Sequence, residues 1–206
     1  MSWLLTATGT QFDLRFISAG AISVLDIAHH LAQINRFTGA CKRPYSVAEH
    51  SLLVCELVER RFGERDPAVL MAALLHDAHE AYTTDLSQPM KQLIGAPWRV
   101  EEARIEWAVR RRFQLVDAFA AARHRIHWAD LTALSTEREQ LMPPGGDEWP
   151  VTRSHPPVGW WNFDQRAAFG WLDWRQAFLD RFAELQFARV ERIGEGLPPA
   201  GTQAAS

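Results

Sequence analysis

The most constraining stretch of this 206-residue chain runs from Leu70 to Tyr82. Leu70, Ala73, Leu74 and Ala81 recur at helical spacing, which predicts a helix with a buried apolar stripe. Yet the same stretch carries His76, Asp77, His79 and Glu80 within five residues. Unpaired ionisable groups are costly inside a core, so this cluster requires charged partners or a metal ion. Asp66-Pro67 supplies a start signal, Asp as the N-cap and Pro in the first turn, and the helix is expected to extend to about Tyr82. On such a helix His76 and Asp77 project about 100° apart and can grip one ion between them. Glu80, four residues after His76 and three after Asp77, shares their face.

The rest of the chain is read the same way. Residues 1–20 alternate apolar positions (Phe12, Leu14, Phe16) and suit a short hairpin. From Ser23 the period becomes helical through Val24, Ile27, Ala28, Leu31 and Ile34, and 35–44 reads as a loop. Ser46-Val-Ala-Glu49 has the form of a capping box, opening a helix from 47 to about 62 that stops at Gly63. Thr83 to Pro89 reads as an irregular connection. Pro97 opens a helix to about Phe113, and Asp117 caps a long one to about Leu141. Prolines and glycines make 142–160 a long loop, followed by an amphipathic helix at about 163–188 with Phe178, Leu179, Phe182 and Leu185 on one face. The prediction is an all-α helical bundle, possibly with the short N-terminal hairpin. It forms one domain over 1–193 with its core at 23–141, followed by a flexible tail at 194–206.

Composition removes several function classes. The hydrophobic fraction of 47% with 23% charged residues is globular, and the formal net charge of −3 gives no basic footprint for a nucleic-acid complex. Arg110–Arg111–Arg112 reads as a solvated helix surface. Cys41 and Cys55 stand in no metal-ligand spacing, so a reduced, cytoplasmic chain is expected, with no signal peptide and no membrane span. Five of the nine tryptophans (Trp149, Trp160, Trp161, Trp171, Trp174) gather late in the chain, as packing groups or a stacking platform.

Two further ligand-type residues sit in other predicted helices. His50 lies in a first turn, and Asp130 lies mid-helix among Ala129, Leu131 and Leu134. Three helices could thus present ligands to one point. Two imidazoles and two carboxylates suit a divalent ion that keeps positions open for water and phosphate. Spacing alone leaves a second reading open: histidines satisfied by hydrogen bonds inside a core.

The chain also resembles the HD-domain phosphohydrolases, in particular the branch of 5′-deoxynucleotidases and compact phage-type deoxynucleoside triphosphohydrolases. The stretches that carry the resemblance begin with Asp26-Ile-Ala-His29, Arg36-Phe37-Thr-Gly39 and Tyr45-Ser-Val-Ala-Glu-His50. They continue with Leu75-His76-Asp77-Ala-His-Glu80-Ala-Tyr-Thr-Thr-Asp85, which runs on to Pro89-Met-Lys91, and with Ala129-Asp130 on to Glu137-Arg. Together they span roughly 23–141. The resemblance implies a divalent metal (Mn, Co, Mg, Fe or Zn) on His50, His76, Asp77 and Asp130. It implies catalytic roles for Glu80, which positions or deprotonates the attacking water, and for its partner Asp85. Lys91 is implied to neutralise phosphate charge, Arg36 to hold a nucleotide phosphate and Phe37 to pack on sugar or base. His127 stands where a lysine is usual and would make a pH-dependent phosphate contact. The implied activity is hydrolysis of the phosphate ester or anhydride of a deoxynucleotide by a metal-activated water, in a homo-oligomer; monophosphate and triphosphate substrates both remain open. The alternative is a non-catalytic nucleotide-sensing regulator on the same scaffold.

Overall fold

The structure, a computed structural model, describes residues 2–194. It is mainly helical, as the periodicity predicts, with one two-stranded sheet. That sheet is the expected hairpin: β1 (Trp3–Leu5) pairs antiparallel with β2 (Gln11–Asp13), Leu4 opposite Phe12. Alternation puts Phe12 inward, where its ring stacks on Tyr82 with centroids 4.2 Å apart.

The helix α1 (Val24–Gln33) starts where expected, Ser23 accepting from the Leu25 N–H. The central helix α2 (Val47–Phe62) ends at Gly63 in the left-handed conformation that glycine adopts without strain. Only half of its capping box forms. Ser46 Oγ accepts from the Glu49 N–H at 3.2 Å, but the Glu49 carboxylate turns instead to Arg43, at 2.8 and 2.9 Å. A buried carboxylate gains more from a bidentate guanidinium than from one amide.

The helix expected from Asp66 to Tyr82 is broken. α3 (Pro67–Leu74) is capped by Asp66, and α4 (Glu80–Thr83) follows a run of turns over 75–79. Through this run the N–H groups of His76, Ala78, Glu80, Ala81 and Tyr82 bond three residues back instead of four. A cause is visible at its start: the His76 ring bonds the Ala73 carbonyl at 2.8 Å through Nδ1, satisfying an acceptor at the end of α3. In the tighter winding, residues three apart eclipse. Asp77 and Glu80 stand three apart in this run, and Asp77 Oδ2 lies 3.2 Å from His76 Nε2.

Beyond it stand α5 (Gln88–Ile94), α6 (Ala96–Arg112), α7 (Val116–Gln140), α8 (Val151–Ser154) and α9 (Trp171–Gly194). The region read as irregular through Pro89 thus ends in α5, whose proline occupies the first turn. Leu115, not Asp117, precedes α7; Asp117 lies in the first turn, where its charge favours the helix dipole. α8 interrupts the expected 142–160 loop. The last helix starts at Trp171, later than the expected 163, where Asp173 reaches back to the Gly170 N–H at 2.8 Å. It buries Phe178 and Leu185 and half-buries Leu179 and Phe182, the predicted face. Gly194, expected in the tail, closes α9; residues 195–206 lie outside the described residues. Among the described residues no helix is long and apolar enough to cross a membrane. α2 packs against α1, α3, α7 and α9 and buries Leu53, Val54, Leu57 and Val58, with His50 also buried near its start.

Candidate metal centre

The start of α2, the 75–79 turns and the middle of α7 converge on one point. His50 Nε2 lies 3.2 Å from His76 Nε2, 3.4 Å from Asp77 Oδ2 and 3.3 Å from Asp130 Oδ1. Asp77 Oδ2 is 3.2 Å from His76 Nε2. The ligand atoms of His50, His76 and Asp130 lie within 4.8 Å of one another and could hold a metal ion.

The hydrogen bonds behind the cluster test whether a cation fits. His76 Nδ1 faces the Ala73 carbonyl, which can only accept, so that nitrogen carries the hydrogen. His50 Nδ1 lies 2.6 Å from Glu137 Oε1. Against the cost of burial, Arg36 first lowers the Glu137 pKa and meets its carboxylate at 3.1 Å, so the carboxylate accepts and His50 Nδ1 also donates. With both imidazoles neutral, two Nε2 lone pairs and two carboxylate oxygens face one another with no hydrogen among them. A divalent cation satisfies that arrangement, and acceptors behind the ring nitrogens are the usual support for metal-binding histidines. Without a metal, a proton takes its place. Burial and Arg36 oppose charge on His50, yet Glu137, Asp130 and Asp77 hold its pKa well above the ordinary value.

The predicted catalytic acids stand beside this cluster. Glu80 is 3% exposed, and its Oε2 has no hydrogen-bond partner. Burial, Asp77 and Asp85 push its pKa well up. Asp85 is half-buried, with its pKa raised by burial and then by Asp77, while Arg36 opposes. Lys91 Nζ lies 3.8 Å from Glu80 Oε1 and 2.6 Å from Glu102 Oε1, an oxygen that His79 Nε2 also approaches at 3.4 Å. Arg36 is buried between Glu137, at 3.1 Å, and Asp77, at 3.7 Å. The residues after it are strained: Phe37 (φ 54°) and Thr38 (φ 53°) are consecutive left-handed residues without glycine's freedom. The Phe37 ring meets the Arg36 guanidinium at 5.2 Å.

Over 192 residues the chain is 33% identical to the uncharacterized protein YfdR of Escherichia coli strain K12, covering 92% of this chain and 98% of that protein. The chain belongs to the YfdR family. It is also 38% identical over 146 residues to an uncharacterized protein of Rhodobacter capsulatus, covering 68% of this chain and 73% of that protein. No protein-family model matches the chain.

In this YfdR-family chain two residues without an assigned role prove central. Glu137, wholly buried, joins His50, Tyr45 Oη (2.7 Å) and Arg36. Its signal is in the sequence: it lies two helical turns beyond Asp130, an acid beside the apolar line of Ala129 and Ala133. Glu102 left no comparable mark, because α6 is polar over most of its surface and nothing local distinguishes that acid from its neighbours. His127 lies on the same α7 face as Asp130, three residues earlier, but its side chain is exposed.

Proposed function

We propose that the chain is a divalent-metal-dependent phosphohydrolase acting on deoxynucleotides, with His50, His76, Asp77 and Asp130 as metal ligands. One observation carries the reading: ligand atoms of His50, His76 and Asp130 lie within 4.8 Å of one another, Asp77 Oδ2 stands beside both imidazoles, and both histidines are held by Nδ1 bonds that turn their lone pairs inward. The resemblance to HD-domain phosphohydrolases supports the choice of reaction.

When bound, a divalent ion supplies Lewis-acid polarisation of a phosphoryl oxygen and favours deprotonation of water. The chain's own residues do the rest. Glu80 Oε2, buried and without a partner, takes a proton from the attacking water as its oxygen bonds to phosphorus. Asp85, when protonated, gives a proton to the leaving oxygen as the phosphorus–oxygen bond breaks. Arg36 and Lys91 neutralise phosphate charge and fix its orientation, the main demand of phosphoryl transfer.

The test is direct. The purified chain is stripped with a chelator, reloaded with Mn²⁺, Co²⁺ or Mg²⁺, and offered a panel of deoxynucleoside mono- and triphosphates, with phosphate and triphosphate release measured separately. Metal-dependent release from at least one substrate is expected. Turnover that survives complete metal removal, or a metal-loaded chain that hydrolyses none of the panel, overturns the proposal.

A further inference from the structure

A second recess lies at the end of a contact path that starts at the metal cluster. From Asp77 the path runs 3.7 Å to Arg36, from the Arg36 guanidinium 5.2 Å to the Phe37 ring, and from that ring 5.9 Å to the ring of Trp149. Trp149 in turn lines a cavity of about 400 Å³ with Arg138, Met142 and Thr152. Three features show that this wall is built. Arg138 pins the preceding loop through the carbonyls of Pro143 (2.8 Å) and Gly145 (2.6 Å), while its guanidinium packs 5.3 Å from the Trp149 ring. Thr152 Oγ1 holds the Trp149 carbonyl at 2.8 Å. Lys42 N–H bonds the Leu141 carbonyl at 2.9 Å, tying the loop to the segment that carries Phe37. Phe37 and Thr38 keep a left-handed backbone that disfavours both residue types, a cost that persists where a side chain must be aimed.

The charges fix which end of a ligand fits. Glu139 and Glu148 also line the recess, Glu148 paired with Arg153 Nε at 3.0 Å, so the recess offers phosphate no surplus of positive charge. It offers a tryptophan ring, a thioether and polar groups at its edges, which suits a flat ring with hydrogen-bonding edges.

We propose that this recess is the base-binding subsite and that Trp149 is its stacking surface. The phosphate of the same ligand points back along Phe37 toward Arg36 and the metal cluster. This rests on the phosphohydrolase reading for its phosphate end and adds a substrate-selecting residue from the Trp-rich part of the chain.

Two measurements on the metal-loaded full chain test it. The first is the ratio of kcat/KM for deoxyadenosine monophosphate to that for glycerol 3-phosphate, which has no base. Trp149→Ala lowers this ratio about 5- to 150-fold, the range expected for losing one aromatic stacking partner, and Trp149→Phe recovers most of it. The second is equilibrium binding of deoxyadenosine monophosphate by calorimetry, which needs no turnover. Binding that weakens by the same factor in Trp149→Ala, with recovery in Trp149→Phe, supports the subsite even if the wild type hydrolyses nothing and the phosphohydrolase reading fails. Unchanged affinity and an unchanged ratio in a folded Trp149→Ala chain overturn the subsite, as does failure of the wild type to bind the nucleotide.

Discussion

Glu137→Gln separates the support of the metal cluster from the cluster itself. The carboxylate is wholly buried and accepts from His50 at 2.6 Å, Tyr45 at 2.7 Å and Arg36 at 3.1 Å. Glutamine keeps the shape but removes the charge and turns one acceptor oxygen into a donor. If its oxygen stays with His50 and Tyr45, its amide nitrogen meets the Arg36 guanidinium, donor against donor. Arg36 then keeps Asp77 as its nearest carboxylate, at 3.7 Å. Breaking a buried ion pair from one side costs about 3–5 kcal/mol. The retained Asp77 contact favours the lower end, about 3 kcal/mol, or a melting temperature lower by roughly 6–12 °C at this chain length. At the metal, loss of the charged acceptor behind His50 weakens affinity about 10- to 100-fold. Calorimetric titration of Mn²⁺ or Co²⁺ into the stripped chain and thermal unfolding measure the two effects separately. A variant that melts lower but binds metal as tightly as the wild type would refute the argument that Glu137 sets the His50 tautomer for a cation.

Three further outcomes follow from the same geometry. Glu80→Gln keeps its metal, because Glu80 is no ligand, and loses about 10²- to 10⁴-fold in kcat; metal content with single-turnover rates checks it, and wild-type turnover sinks the proton-acceptor role. Thr38→Gly removes a left-handed penalty of about 1–2 kcal/mol but adds glycine's entropy cost of about 0.5–1 kcal/mol, so denaturant unfolding should show a net gain of roughly 0–1.5 kcal/mol. A clear loss of stability would mean that the Thr38 side chain matters more than its backbone. Glu102 has its pKa lowered to about 2, from an ordinary 4.5, by His79 first and then by Lys91 against some burial cost. A depressed carboxyl contributes stability above its unfolded pKa and loses it as pH falls, so wild type and Glu102→Gln should differ at neutral pH and converge between about 4.5 and 2. A gap that stays constant through that window would contradict the ionised Glu102–Lys91 pair.

What the sequence reveals here depends on whether the controlling force is local. Ser23, Ser46 and Asp66 announce their helices because a cap is a bond between near neighbours, and the structure keeps all three. The cluster of His50, His76 and Asp130, which could hold an ion, was legible because ionisable side chains in an apolar helical pattern are anomalous wherever they occur. The break after Leu74 was not legible. It coincides with a bond from the His76 ring to the Ala73 carbonyl, and the apolar period continues through it unchanged. That break also alters the basis of the site. Asp77 lies within that tight winding, 3.2 Å from His76, and acts electrostatically on Glu80 three residues on. Glu102 and Trp149 lie at the other limit. Glu102 gains its importance from Lys91, eleven residues away, and Trp149 from Phe37, more than a hundred residues away. No local pattern can mark a residue whose partner is chosen by the packing of α5 on α6 or by the path of the 142–150 loop. The ion-holding part of the site is therefore written in short-range chemistry, while the part that would select a substrate is assembled by tertiary contacts. It follows that substitutions at Trp149 or in its loop should change which phosphate compound is accepted while leaving the metal ligands in place.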